Sequence, residues 1–179
     1  EKTTLKPKKI FDFDHYSIIN FNGELTESNL FLKENLEEAT KSKLKKVSHL
    51  KDHSIFYGLP YDLVPRRPTL ETHSKKDQLL SLNLSLLDRG FSLSILNNLD
   101  KPLVIYNYYD ANLTNKMINN SNIIEIFNSK STIIEVNIDN SKSSYFKNTF
   151  QKFAIKESHV NYFFINLNKS KAFNYTNNH

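Results

Sequence analysis

The chain has 179 residues, enough for one domain of ordinary size, and carries a net charge of +5 with 39% hydrophobic residues. Aromatic residues reach 12%, which argues against a disordered chain. Cysteine is absent, which excludes disulfides and thiolate metal sites within these residues. No run approaches the ~20 apolar residues of a membrane span, and the N-terminus lacks the order of a signal peptide. We therefore expect a soluble, cytoplasmic protein.

The positive charge raises the question of a nucleic-acid partner or an anionic surface. The only dense basic run contains Lys41, Lys43, Lys45 and Lys46, and no aromatic residues alternate with them as they would in a single-strand-binding groove. A solvated helix face explains this run better. We therefore expect neither a nucleic-acid nor a membrane partner.

The first half of the chain mixes short elements. Residues 17–21 predict a strand that turns at Asn22-Gly23, a dipeptide suited to tight turns. Residues 26–50 show loose helical spacing, and the proline-rich residues 57–68 predict a loop. The Leu-rich residues 75–89 predict the clearest helix, capped by Thr72 or Ser74 and ended by Gly90 in a left-handed conformation.

After Gly90 the chain becomes a series of β-rich runs separated by polar corners. Two arrangements fit them, an antiparallel sandwich and a coil whose strands stack on the next turn. Residues 127–136 and 155–163 each contain an apolar run, a tight polar corner with Ser, and a second apolar run, which favours the coil. The predicted strands are 91–96, 103–108, 122–127, 132–138, 149–155 and 159–167, with the start of another at 173–179.

Because the chain starts at Glu1 rather than Met and ends within this last run, we expect a piece of a longer polypeptide.

Five landmarks follow one another along the chain. A short strand and turn precedes a Leu-rich helix ending in Asp-Arg-Gly, then a Lys-Pro-Leu that opens the β region, then two strand pairs. The landmarks are residues 19–25, 80–90, 100–105, 122–136 and 150–164, followed by Ala172-Phe173. In this order they resemble the SufB/SufD family of iron–sulfur cluster scaffold subunits, and SufD within it. The chain departs from the family at two corners, where Lys130-Ser131 and Glu157-Ser158 replace Gly-Ala.

This resemblance implies a mainly β fold, a right-handed parallel β-helix. Residues 1–90 would form a mixed N-terminal region with helices, and residues 91–179 the early coils of the β-helix core. The resemblance implies a non-catalytic scaffold that binds a homologous SufB-like subunit and a SufC-like ATPase. The complex would be located in the cytoplasm or in a plastid-type organelle. A homodimer is also compatible with this family. The iron–sulfur cluster would be assembled by the complex, and this segment would hold no cofactor. The resemblance therefore assigns no catalytic, cofactor-binding or metal-binding role to any residue of this chain.

The residues themselves offer few candidates for chemistry. The histidines at 15, 49, 53, 73, 159 and 179 show no metal-ligand pattern, although His49 and His53 would share a helix face. Glu125 and Glu135 stand at matching places in two strands, where a carbohydrate-active β-helix could use a carboxylate pair. Alternation with Ile and Val instead predicts both on a solvent face. Tyr106, Tyr108 and Tyr109 fit a sugar-stacking platform or ordinary surface aromatics. We expect no catalytic and no metal site.

Overall fold

The computed structural model describes residues 11–22, 54–57, 77–87, 89–109, 115–139, 141–142, 144–168 and 170–178, with single residues 63, 66, 68 and 113. The strands and the helix of this part follow in chain order. They are β1 (Tyr16–Asn22), β2 (Ser54–Tyr57), α1 (Gln78–Ser85), β3 (Arg89–Ile95), β4 (Leu103–Tyr109), β5 (Met117–Phe127), β6 (Lys130–Asp139), β7 (Phe146–Lys156), β8 (His159–Asn168) and β9 (Phe173–Asn178).

The strands form two sheets, which we call sheet A and sheet B. Sheet A has the order β2-β1-β4-β6-β8, and sheet B has the order β3-β5-β7-β9. From β3 onward consecutive strands alternate between the sheets, and every pairing among them is parallel. The chain is thus mainly β with two parallel sheets, and the parallel pairing excludes the antiparallel sandwich that its pattern left open.

Most predicted strands lie within the observed ones. The main difference is at β5, which begins at Met117 rather than at residue 122 because residues 117–121 pair in register with residues 146–150 of β7. Asparagine is a poor strand former, but burial and cross-strand pairing override that preference here. β1 joins β4 in parallel, so the N-terminal region contributes a strand to sheet A. β2 was not predicted, and residues 26–50 lie outside the described part.

Two tight corners repeat the same geometry. Asn128 and Glu157 both adopt a positive φ, 49° and 51°, and Lys130 of β6 pairs in register with His159 of β8. The Ser129 N–H donates to the Ser158 hydroxyl (3.0 Å), so the serines join one corner to the next. The self-similarity seen in the sequence is therefore confirmed, and the residue that bends the chain is Asn in one corner and Glu in the other.

Replacing Glu157 by Asn or Gly should stabilise the protein by about 0.5–1 kcal/mol, because both residues adopt positive φ more readily than Glu. Urea unfolding measures this. Glu157→Ala removes the same exposed carboxylate without favouring positive φ, so it should not stabilise. Equal effects of Ala and Asn would contradict the conformational explanation.

The helix is shorter than predicted. It spans Gln78–Ser85, and its N-cap is Asp77, whose carboxylate accepts from the Leu80 N–H (2.9 Å). Asp77 also accepts from the Tyr175 hydroxyl (2.6 Å) and Asn177 (2.9 Å) of β9, which fastens the helix start to sheet B. The predicted caps Thr72 and Ser74 lie outside the described residues. The predicted cap was wrong because Asp77 is held by hydrogen bonds from β9, which the local sequence does not indicate.

The prediction that Gly90 ends the helix is also wrong. Gly90 belongs to β3 and pairs with Ser121 of β5. Its φ is 112°, and a Cβ there would lie 1.9 Å from the Ser121 carbonyl oxygen. The close approach of β3 and β5 therefore requires a glycine at this position. The helix ends earlier, at Ser85, with Leu86 as its C-cap.

Gly90→Ala should destabilise the fold by at least about 2 kcal/mol, since both the backbone conformation and the contact with β5 would be lost. Thermal and urea unfolding measure the change. Ser92→Ala, two residues along the same strand, serves as the control and should have a much smaller effect. A mild loss at Gly90, similar to that at Ser92, would contradict the packing described here.

The space between the sheets is divided into an apolar and a polar half. The apolar half lies beside the tight corners, where β3 and β5 end and β4 and β6 begin. The polar half lies toward the longer connections. The apolar core comprises Ile18, Leu63, Phe91, Leu93, Ile95, Leu103, Ile105, Ile124, Ile126 and Ile133. A second apolar cluster covers the outer face of sheet A, where Val104, Ile134 and Val136 pack with Phe11.

Candidate functional site: the open end of the two sheets

The two ends of the sheets differ. At the first end, β2 pairs antiparallel with β1 and closes the edge of sheet A. Arg66 forms an antiparallel bridge with Ser92 of β3, with two backbone hydrogen bonds of 2.7 Å, which covers part of the edge of sheet B. An antiparallel segment stops a parallel stack from continuing in register. The first end is therefore capped.

The last end has no such cap among the described residues. Within the described ranges, β8 pairs with β6 alone and β9 with β7 alone, which leaves one edge of each strand without a strand partner from this part of the chain. Unpaired strand edges are templates for pairing with another chain. We refer to this surface, formed by β8 and β9, as the open end.

Large apolar side chains are concentrated at the open end. Phe163 and Leu167 extend the apolar column of the outer face, while Tyr162 and Phe164 extend the column between the sheets. Phe164 is 53% exposed and Phe173 73%. The exposed apolar residues here are Ile155, Tyr162, Phe163, Phe164, Leu167 and Phe173. Exposed large apolar side chains along unpaired strand edges are typical of interaction sites.

A buried carboxylate lies just inside the open end. Glu135 of β6 is 2% exposed and accepts hydrogen bonds from Asn107 of β4 (2.7 Å), Tyr162 of β8 (2.7 Å) and Gln151 of β7. Burial raises the pKa of Glu135, while the three donors oppose that shift. One carboxylate thus connects three neighbouring strands of sheet A with sheet B.

A column of asparagines runs beside Glu135. Asn20 of β1 donates to Asn107 of β4, and Asn107 donates to Asn137 of β6, both at 2.9 Å. Asn166 of β8 is next in register and is exposed. The column connects successive strands through side-chain amides, in addition to the backbone ladder. This column was not predicted from the sequence. Asn107, Asn137 and Asn166 lie one coil apart along the chain, but that spacing indicates a column only when the strand register is known.

The predicted solvent position of Glu135 is wrong. Alternation placed Ile134 and Val136 inward, but they face outward and are covered by Phe11, so Glu135 points between the sheets. Glu125 lies in sheet B, is partly exposed and accepts from the Ser94 hydroxyl (2.8 Å). The two carboxylates therefore do not form a pair. Alternation failed because both faces of sheet A are covered.

The three tyrosines do not form one platform. Tyr109 is buried between the sheets against Tyr145, with ring centroids 6.2 Å apart. Tyr106 is half-buried on the outer face, where its hydroxyl lies 3.0 Å from His15 Nε2 and burial raises its pKa to about 12. Tyr108 is partly exposed. Their side chains point to different environments because neighbouring strand residues face opposite sides.

The histidines and the basic run add no site to the described part. His15 is held by Tyr106 and the Phe13 carbonyl, and His159 is exposed at the start of β8. Among the described residues no three His, Asp or Glu side chains group closely enough to hold a metal ion. The other histidines and Lys41, Lys43, Lys45 and Lys46 lie outside the described residues. In the described part no helix is long and apolar enough to cross a membrane.

Comparisons with protein-family models, with curated proteins and with solved structures found no match to this chain. The open end is therefore interpreted from its geometry.

Glu135 should make the stability of the protein depend on pH. Burial raises its pKa in the folded state above the ordinary value of 4.5, so the unfolded chain loses the proton first as pH rises. The contribution of Glu135 to the free energy of unfolding is therefore complete at low pH and declines as pH rises through the folded-state pKa. Glu135→Gln should flatten this decline, by at most about 1.4 kcal/mol per pH unit for one proton.

Urea unfolding at a series of pH values from 4 upward tests this. Glu125→Gln is the matched control, because it removes a partly exposed carboxylate in the other sheet. The burial argument fails if the two variants change the pH dependence equally.

Proposed function

We propose that this chain is a non-catalytic scaffold in iron–sulfur cluster assembly, which works by binding a homologous β-rich subunit and an ATPase. The observation that carries the proposal is the asymmetry of the two ends. One end is closed by antiparallel segments, and the other exposes strand edges together with apolar side chains. Unpaired parallel edges of this kind can accept a further strand in register.

We further propose that the two sheets are the walls of a right-handed parallel β-helix. Strands that alternate between two sheets and pair in register one coil later support it, as does the strong preference of parallel crossovers for the right hand. The repeated corners at Asn128 and Glu157 support a repeating coil as well. This is the fold that the resemblance to the SufB/SufD family implies.

Docking at the open end has a clear energetic basis. Burying one exposed Phe side chain contributes about 1.5–3 kcal/mol, and Phe163 and Phe164 lie on opposite faces of the same edge strand. A partner strand would add backbone hydrogen bonds along β8, the mode known as β-augmentation. Apolar contacts on both faces would then hold the added strand.

The partners in this proposal are a SufB-like subunit, which would dock at the open end, and a SufC-like ATPase. The cluster would be built by the complex, in the cytoplasm or a plastid-type organelle, and no cofactor is assigned to this segment. The carbohydrate-active alternative required a carboxylate pair. Glu125 and Glu135 lie in different sheets, so the geometry does not favour it.

The experiment is co-purification of the full-length protein with an ATPase subunit and a homologous β-rich subunit, compared with Phe163→Lys and Phe164→Lys. Either substitution should reduce recovery of the β-rich partner at least tenfold, because a charge would be buried against apolar surface at the edge of β8. Thermal unfolding of each variant confirms that the fold is retained.

Leu96→Lys is the matched control, since Leu96 is 59% exposed but lies at a corner away from β8 and β9. It should leave partner recovery unchanged. A wild-type protein that stays monomeric beside both subunits would overturn the function. Normal partner recovery with both Phe variants would overturn the assignment to the open end.

A further inference from the structure

A lysine and an aspartate meet between the sheets in the polar half of the interior. The Nζ atom of Lys147 lies 3.9 Å from Oδ2 of Asp139, and their side chains are 6% and 0% exposed. Asp139 is the last residue of β6 and Lys147 is the second residue of β7, so the two come from opposite sheets. A buried ion pair of this kind has a large desolvation cost.

The carboxyl group of Asp139 is surrounded by hydrogen-bond donors. Oδ2 accepts from the hydroxyls of Tyr145 and Ser170, the latter at 2.7 Å, and Oδ1 accepts from the Ser141 N–H at 3.0 Å. Donors on both oxygens withdraw electron density from Cγ, and they would stabilise negative charge that develops on an oxygen when a nucleophile attacks. The carboxyl carbon is thus activated as an electrophile.

The amine of Lys147 lies beside the Asp139 carboxyl group and over the face of an aromatic ring. Nζ lies 3.8 Å from the centre of the Tyr109 ring, and the residue is 5% exposed. Burial lowers the pKa of Lys147, which favours the neutral, nucleophilic amine. A neutral amine and an activated carboxyl group within a few ångströms are the reactants of amide formation, and burial disfavours the ammonium form of Lys147.

We propose that Lys147 and Asp139 join in an intramolecular isopeptide bond that fastens sheet A to sheet B. The ammonium group of Lys147 first passes one proton to the Asp139 carboxyl group. The neutral Nζ then attacks Cγ of Asp139, the N–C bond forms, and the bond from Cγ to Oδ2 breaks. Of the three protons of the lysine ammonium, one stays on the amide nitrogen and two leave with Oδ2 as water, passed through the hydroxyls of Tyr145 and Ser170. The product is neutral, so both buried charges disappear and no oxidant or cofactor is required.

The bond would connect the end of β6 with the start of β7 across the connection that joins them. It is independent of the proposed scaffold function, because none of its groups belongs to the exposed apolar surface of the open end. Its consequence would be mechanical, since the two sheets could no longer separate on the side of the polar interior.

Mass spectrometry of the intact, denatured protein tests the proposal directly. The expected mass is that of the sequence less one water molecule, and digestion should release a branched peptide that joins the segments around Asp139 and Lys147. Lys147→Met should restore the full sequence mass. Asp139→Asn should lose one ammonia molecule instead of water, because the amide nitrogen becomes the leaving group.

Lys142→Met, which removes an exposed lysine near the same connection, is the control and should still lose water. Wild-type protein at its full sequence mass, with native circular dichroism, would overturn the proposal and leave a buried ion pair. A water loss that persists in Lys147→Met would overturn it as well, since the loss would then arise elsewhere.

Discussion

The rest of this structure depends on in-register parallel pairing between strands that are one coil apart in the chain. Each such pairing places equivalent residues of successive strands directly above one another, so side chains form columns. Backbone hydrogen bonds stabilise every strand pair to a similar extent. The side-chain columns determine which register is stable. Gly90 shows how strict the constraint is, because the Ser121 carbonyl of the paired strand occupies the space that a Cβ would need.

The polar half of the interior combines hydrogen bonds between columns with a small apolar cluster of Tyr109, Leu113, Ile118 and Tyr145. Glu135 accepts from β4, β7 and β8, and the asparagine column connects β1, β4 and β6. Buried polar groups are costly unless they are paired, so such a network specifies one register while contributing little net stability. The apolar half, beside the tight corners, provides the burial that offsets this cost.

The same columns connect the interior with the open end. The Tyr162 hydroxyl donates to Glu135 while the residue is 39% exposed, so the last layer of the stack belongs both to the core and to the surface. A strand added to β8 would contact the aromatic rings of Tyr162 and Phe164 and the side-chain amide of Asn166. Under the proposed function, these side chains would restrict which partner edge can pair with β8.

Much of the β region was predictable from sequence, because short apolar runs between polar corners are a local signal. The strands at residues 103–108, 132–138 and 159–167 lie within β4, β6 and β8, and the matching corners at residues 128 and 157 were recognised before their shared backbone conformation was known. The Asp77 cap and the role of Gly90 were not predictable, because both depend on a strand distant in sequence.

The sequence by itself determined that the second half of the chain is a succession of short strands with two similar corners. Only the tertiary structure decided which face of each strand is inside. Alternation of Ile and Glu in β6 has two solutions, and the covering of the outer face by Phe11 selects the one that buries Glu135. Local pattern cannot make that choice, since the free energy of burying either face depends on what the rest of the chain places against it.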